Sequence, residues 1–218
     1  MKIDDVDFSL YVITDADVSG GRLHTEVVRL ALEGGATVIQ YRDKRASLRR
    51  MLDVGEELRR LCARHGATFI VNDRPDLAIA LQADGVHLGP EDMPPATVRG
   101  IVGSEMLIGV STDDAREARE AEADGADYLI ARPVFPTSWQ MEGRPTMGVA
   151  GLQRIVQAVS LPVLADGGVN RKTIEDVLGV GVAGPAITTA IVGAADPDEA
   201  ARELRGMVDA YRQQVATG

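Results

Sequence analysis

Cysteine is almost missing from this chain. Cys62 stands alone among 218 residues, so no intrachain disulfide can form, and a reducing compartment is the natural setting. Positive charge is also short: 23 Lys and Arg face 33 Asp and Glu, a formal net charge of -10. That balance argues against a nucleic-acid footprint or an anionic membrane surface as partner. An anionic substrate would need a local basic cluster instead. No apolar run approaches the roughly 18 residues of a membrane span. The opening MKIDDVDFSL has neither the apolar core nor the cleavage site of a secretory leader, so a soluble, cytoplasmic protein is expected. Low-complexity runs and Ser/Gly-rich linkers are missing too, which predicts a single domain over 1–218, within the size range of one α/β barrel. G-x-S-x-G does not occur, and Cys62 falls inside a predicted helix, so covalent catalysis is not expected.

What is present is a regular alternation. SLYVIT precedes TEVVRLALEGG, in which Val27, Val28, Leu30, Ala31 and Leu32 recur at helical spacing before Gly34 and Gly35 stop the helix. The pattern repeats through TVIQY, TFIVND, GVHLG, LIGVST, YLIARPV, LPVLAD and GPAITT, each followed by an amphipathic stretch. Strands separated by helices imply right-handed crossovers and a parallel sheet. Eight such units close into an α/β fold of the (β/α)8 TIM-barrel type more readily than they form an open sheet.

In that fold, chemistry sits where strands end. The strand ends here carry Asp15, Asn72, His87, Ser111, Arg132 and Asp166 among their polar residues. QYRDK sets Gln40, Arg42 and Lys44 at alternate positions, so an extended backbone sends all three side chains to one face. Two cations and an amide make an anion cradle, with Arg42 suited to a bidentate phosphate contact and Lys44 to a point charge. A solvated strand exit, with ion pairs to Asp43 or a neighbour, is the plainer alternative.

VNDRPD and GPEDMP add carboxylates just past two strands. Next to a phosphate cradle these would repel the ligand unless a hard cation lay between, and Mg²⁺ is the usual solution. Asp73 and Asp92 are the metal candidates. Asp76 suits the first turn of a helix, and Glu91 is expected to face solvent. His87 reads as a wall residue, since nothing pairs it with a nucleophile. ADGGVN and AITTA have the form of a barrel phosphate site, with Gly167 and Gly168 admitting an anion and Thr188 and Thr189 opening a helix toward it. Two anion sites across one mouth suggest two phosphorylated substrates or one long diphosphate.

YVITD, GGATVIQYRDK, FIVNDRPDLAIALQADGVHLGPEDMP, IGVST, GADY, PVFPT, LPVLADGGVN and AITTAIVGAADP run in order along nearly the whole chain, and together they resemble the thiamine phosphate synthase family. The resemblance implies a (β/α)8 barrel that couples hydroxymethylpyrimidine diphosphate to a thiazole phosphate and releases pyrophosphate. It implies that Gln40, Arg42, Lys44 and Asn72 hold the pyrimidine diphosphate, that Asp73 and Asp92 bind Mg²⁺, and that Ser111 contacts the leaving diphosphate. Thr137, Gly168, Thr188 and Thr189 would hold the thiazole phosphate. The implied partners are small molecules, with no nucleic acid and no membrane, and the resemblance is compatible with a homodimer.

One loop departs from the pattern. RPVFPTSWQ has Arg132 where the family has glycine, and Trp139 and Gln140 where it has a Thr-Lys pair; Asp113 follows IGVST where histidine is common. Arg132, with a fork suited to phosphate, is expected to take over the missing lysine's role. The rival expectation is that Arg132 and Trp139 fill the pocket of a repurposed or non-catalytic phosphate-binding paralogue. A thiazole tautomerase-like isomerase would need a histidine near PVFPT, and the chain has His24, His65 and His87 alone. The loop from Ser138 to Met147 is a candidate lid by Gly143 and Gly148 and equally a fixed turn by Pro145.

Overall fold

The computed structural model describes residues 2–137 and 145–217, so Trp139, Gln140 and most of the candidate lid lie outside the described residues. Its eight strands are β1 (Tyr11–Ile13), β2 (Val38–Tyr41), β3 (Thr68–Asn72), β4 (Gly85–Leu88), β5 (Leu107–Thr112), β6 (Tyr128–Ala131), β7 (Val163–Ala165) and β8 (Gly184–Ile187). All pair in parallel, and β8 closes on β1 with Tyr11 opposite Ala186. The α/β expectation of a closed (β/α)8 barrel is therefore met.

Helices between strands supply the outer layer: α1 (His24–Glu33), α2 (Leu48–His65), α3 (Pro75–Ala80), α4 (Pro95–Val102), α5 (Ala115–Ala123), α6 (Gly148–Val156) and α7 (Ile174–Leu178). Two more follow β8: α8 (Thr189–Val192) and α9 (Pro197–Thr217). The sequence pattern marks a helix start at Thr188 and Thr189 and a long final helix at DEAARELRGMVDAYRQQV, and α8 and α9 lie there in turn. Local chemistry fixes the helix ends. The Ser47 hydroxyl accepts from the Arg50 N–H at 3.3 Å to start α2, and Gly66 ends it at a φ of 67°, a left-handed C-terminal stop that glycine adopts at little cost. Asp114 caps α5 by accepting from Arg116 and Glu117, satisfying helix-start amides that have no partner within the helix.

Period-2 alternation sorts each strand into two faces. Val12, Ile39, Phe69, Val71, Ile108 and Leu129 point outward to the helices, whereas Tyr11, Ile13, Val38, Ile70, Tyr128, Ile130 and Leu164 fill the barrel. The interior is a packed core and not a channel. Gly109 shows how tight it is: a Cβ there would lie 2.1 Å from Tyr128 Cζ, so the tyrosine occupies space that any other residue at 109 would claim.

Candidate active site

At the C-terminal mouth a cavity of about 350 Å³ is lined by Arg42, Lys44, Asn72, Asp73, His87, Asp92, Ser111 and Arg132, with Gly89, Pro90, Glu91 and Asp113 at its edge. Seven of the twelve sequence-predicted site residues thus meet in one place. Gln40, Thr137, Gly168, Thr188 and Thr189 do not line it. A larger cavity, about 460 Å³, is lined by Arg22, His24, Asp43, Arg50, Asp53 and Glu57 among others. It contains none of the predicted site residues, so volume does not decide which cavity does chemistry.

The cradle differs in construction from a simple alternating strand. β2 stops at Tyr41, so alternation carries Gln40 into the barrel, while Arg42 and Lys44 are placed by the loop that follows. Arg42 is buried and pairs with the buried carboxylate of Asp15. Burial pulls its pKa down and the Asp15 charge pushes it back up. Lys44 is about half exposed and pairs with Asp73. Neither contact is to Asp43, which instead meets His24 Nε2 at 3.1 Å.

Asp73 adopts a φ of 63°, a left-handed conformation that Asp tolerates better than most residues but that still carries strain. Its N–H donates to the His87 carbonyl at 2.8 Å, which holds that turn over the barrel. Asp92 accepts from the Gly89 N–H at 2.7 Å. Burial, together with the Asp73 carboxylate beside it, pushes the Asp92 carboxyl up to about 6. Two crowded carboxylates that disfavour joint ionisation form a hard-oxygen donor pair that a divalent cation relieves, so these residues fit Mg²⁺. Glu91 is exposed, as expected, and Asp76 sits in the first turn of α3 paired with Arg74.

His87 is a wall residue. It is buried, its Nε2 meets Ser111 Oγ at 3.0 Å, and its ring lies 5.8 Å from that of Tyr128. Burial, and then the nearby Arg132 charge, push its pKa down to about 3, so at neutral pH it is an uncharged ring that orients the Ser111 hydroxyl. Gln40 is oriented from below: its Nε2 donates to Tyr11 Oη at 2.8 Å, and that hydroxyl meets Tyr128 Oη at 2.9 Å. Tyr11 and Tyr128 stand in YVITD and GADY and their inward register on strands is readable, but the sequence does not show that they support Gln40. Asp15 and Asp166 appear among the strand-end polar residues, but sequence gives them no partner.

The glycine turn has a packing duty. Gly167 and Gly168 have φ values of 91° and 67°, and a Cβ on either would come within 2.7 to 2.8 Å of Pro133 or of Phe135 and Pro136. The Val134 and Phe135 amides donate to the Asp166 and Gly167 carbonyls at 2.9 Å each. The β6 loop, entered through a cis Arg132–Pro133 peptide, is therefore stitched to the β7 loop. Thr137 is half-buried, Thr189 is exposed, and Thr188 is buried with its Oγ1 lacking a hydrogen-bond partner among the described residues.

The thiamine monophosphate synthase family matches residues 10–191. The thiamine-phosphate synthase of Chloroflexus aurantiacus is 46% identical over 210 residues, covering 96% of this chain and 97% of that protein. The chain belongs to this family. The Pyrococcus abyssi thiamine-phosphate synthase is 49% identical over 202 residues, covering 92% of this chain and 94% of the relative. Among solved structures, the thiamine phosphate pyrophosphorylase of Pyrococcus furiosus superposes with a TM-score of 0.88 at 45% identity, covering 94% of this chain and 97% of that one. Family membership fits the mouth as built, with cations, a carboxylate pair and a hydroxyl converging at the strand ends. A tautomerase-like reading finds no support: His24 belongs to the other cavity, His65 ends α2, and His87 is neutral and buried.

Proposed function

We propose that the chain joins hydroxymethylpyrimidine diphosphate to a thiazole phosphate, forming thiamine phosphate and releasing pyrophosphate. The observation that carries this reading is the convergence of Arg42, Lys44, Arg132, Ser111 and the Asp73–Asp92 pair on one cavity in a member of this family. The bond that breaks joins the pyrimidine's methylene carbon to the diphosphate oxygen, and its electron pair leaves with pyrophosphate. The bond that forms joins the same carbon to the thiazole nitrogen, using the nitrogen lone pair. No proton is moved in either event, so a neutral His87 and the lack of a nucleophile are no obstacle.

Within this reading Arg42, Lys44 and Arg132 stabilise the charge that grows on the departing diphosphate, and Ser111, oriented by His87, donates to it. Arg132 supplies the cation that the family's loop lysine provides elsewhere. Gln40 and Asn72 hold the pyrimidine diphosphate, with the Gln40 amide fixed by Tyr11. Asp73 and Asp92 would hold Mg²⁺, which when bound neutralises diphosphate charge. Thr137, Gly168, Thr188 and Thr189 would take the thiazole phosphate; the buried Thr188 hydroxyl, without a hydrogen-bond partner among the described residues, supports that role. Both substrates are small phosphorylated molecules, and no helix among the described residues is long and apolar enough to cross a membrane. A cytoplasmic location and a homodimer belong to the same reading.

The test is a coupling assay with Mg²⁺ and both substrates, followed by the appearance of thiamine phosphate, with Arg132→Gly alongside. Turnover that collapses in the variant supports the synthase with Arg132 as the replacement cation. A wild type without turnover, together with recovery in Arg132→Gly combined with Gln140→Lys, would mean a repurposed barrel.

A further inference from the structure

Each cation of the mouth is backed by a carboxylate, and two of these, Asp15 behind Arg42 and Asp166 behind Arg132, have no part in the reaction itself. Asp166 follows β7 and is 4% exposed. One of its oxygens accepts from the Gly167 N–H at 2.6 Å, and the other lies 3.4 Å from Arg132 Nε. Its main chain is fixed as well: the N–H donates to the Ala131 carbonyl at 3.0 Å, and the carbonyl accepts from the Val134 N–H at 2.9 Å. Asp166 thus has little freedom, and it sits on the strand next to the one that delivers Arg132.

Arg132 lines the mouth cavity and Asp166 does not, so the carboxylate stands behind the guanidinium as seen from the cavity. Around the pair, Arg42 and His87 feel the Arg132 charge from across the mouth, and Tyr11 feels the Asp166 charge. Arg42 and Arg132 repel each other, and a guanidinium whose side chain is 19% exposed needs a counter-charge to remain there. A carboxylate exposed in the cavity would repel a diphosphate. Placed behind the guanidinium, it leaves a net attractive face toward the ligand.

We infer that Asp166 is a positioning residue, whose buried carboxylate, anchored on the Gly167 amide, holds the Arg132 guanidinium at the mouth as a diphosphate-selecting cation. This rests on the mouth being the diphosphate site. At a separation of 3.4 Å the grip is electrostatic more than a directed hydrogen bond, so charge matters more than shape: Asp166→Asn keeps the acceptor for Gly167 and loses the hold on Arg132.

The test is calorimetric titration of inorganic pyrophosphate with magnesium chloride into wild type, Asp166→Asn, Arg132→Lys, Arg132→Gln and the Arg132→Gln/Asp166→Asn double variant. Wild type is expected to bind, and Asp166→Asn and Arg132→Gln are each expected to weaken binding about tenfold to a hundredfold. The double variant should match Arg132→Gln within about twofold, because the two residues act as one unit. In steady-state assays Asp166→Asn should raise KM for the diphosphate substrate and leave KM for the thiazole phosphate unchanged, a split that general loosening of the barrel would not give. Wild-type affinity in Asp166→Asn, or fully additive losses in the double variant, overturns the inference. If Asp166→Asn does not fold, Arg132→Lys decides. An ammonium cannot meet Asp166 and also present a fork to the ligand, so unchanged affinity there overturns the inference too. Pyrophosphate that does not bind wild type removes the diphosphate site itself, and the inference falls with it; binding that ignores both residues removes the inference alone.

Discussion

Replacing Asp15 by alanine isolates what the buried pair with Arg42 contributes. Arg42 is 8% exposed and Asp15 3%, and arginine does not shed its proton inside proteins. The variant must therefore keep a desolvated guanidinium without that counter-charge or open the mouth to water. Breaking a buried pair from one side costs about 3–5 kcal/mol. For a chain of this size, with roughly 2–4 °C of Tm lost per kcal/mol, the melting midpoint should drop by roughly 6–20 °C. Urea unfolding at neutral pH, with the slope checked against wild type, measures the loss directly. Two controls sharpen the outcome. Asp15→Ala/Arg42→Met, which removes both charges, should recover most of the stability. Pyrophosphate with Mg²⁺ should raise the Tm of Asp15→Ala by more than that of wild type, since an anion can replace the lost carboxylate. A loss below about 1 kcal/mol, the range of an exposed pair, would refute the reasoning and show that Arg42 does not depend on Asp15.

The packing of Tyr128 over Gly109 makes Gly109→Ala cost about 1–3 kcal/mol through overpacking, visible as a lower urea midpoint; a midpoint equal to wild type would mean the interior has room to spare. His87, held near 3 in the folded state against an ordinary 6.5, makes the unfolded chain bind the proton first. Stability from this group is therefore complete above pH 6.5 and declines as pH falls toward 3, by at most about 1.4 kcal/mol per pH unit. Asp92, raised to about 6, works in the opposite direction, so the comparison that isolates His87 is His87→Gln against wild type from pH 7 to pH 5; parallel curves would contradict the shift. Asp92→Asn should weaken the Mg²⁺ dependence of turnover and of pyrophosphate binding, and an unaltered metal titration would confine Asp92 to its bond with the Gly89 amide.

Much of the barrel was legible because its causes are local. Short runs of five to seven residues, rich in β-branched side chains, between amphipathic stretches call for strands and crossover helices, and β1 to β8 follow those runs in order. Where the sequence pattern misleads, a non-local cause explains it. The alternation that carries Gln40 inward ends at Tyr41, so Arg42 and Lys44 reach the mouth from a loop. Gly167 and Gly168 invite a phosphate reading from sequence, and their close approach to Pro133 through Pro136 of the adjoining loop is a packing duty that no local pattern shows.

By itself the sequence determined the fold class, the end of the barrel where the polar strand ends gather, and the residue types there, since strand period, helix caps and the order of motifs all depend on neighbours in the chain. Only the tertiary structure decided the partnerships. Arg42 meets Asp15 across 27 positions, Lys44 meets Asp73 across 29, and Gln40 leans on Tyr11 and through it on Tyr128. Arg132 finds its counter-charge on the next strand over, at Asp166. Such pairings are set by barrel closure and register, which bring distant strand ends within a few ångströms, and no local pattern along the chain encodes which charge will face which.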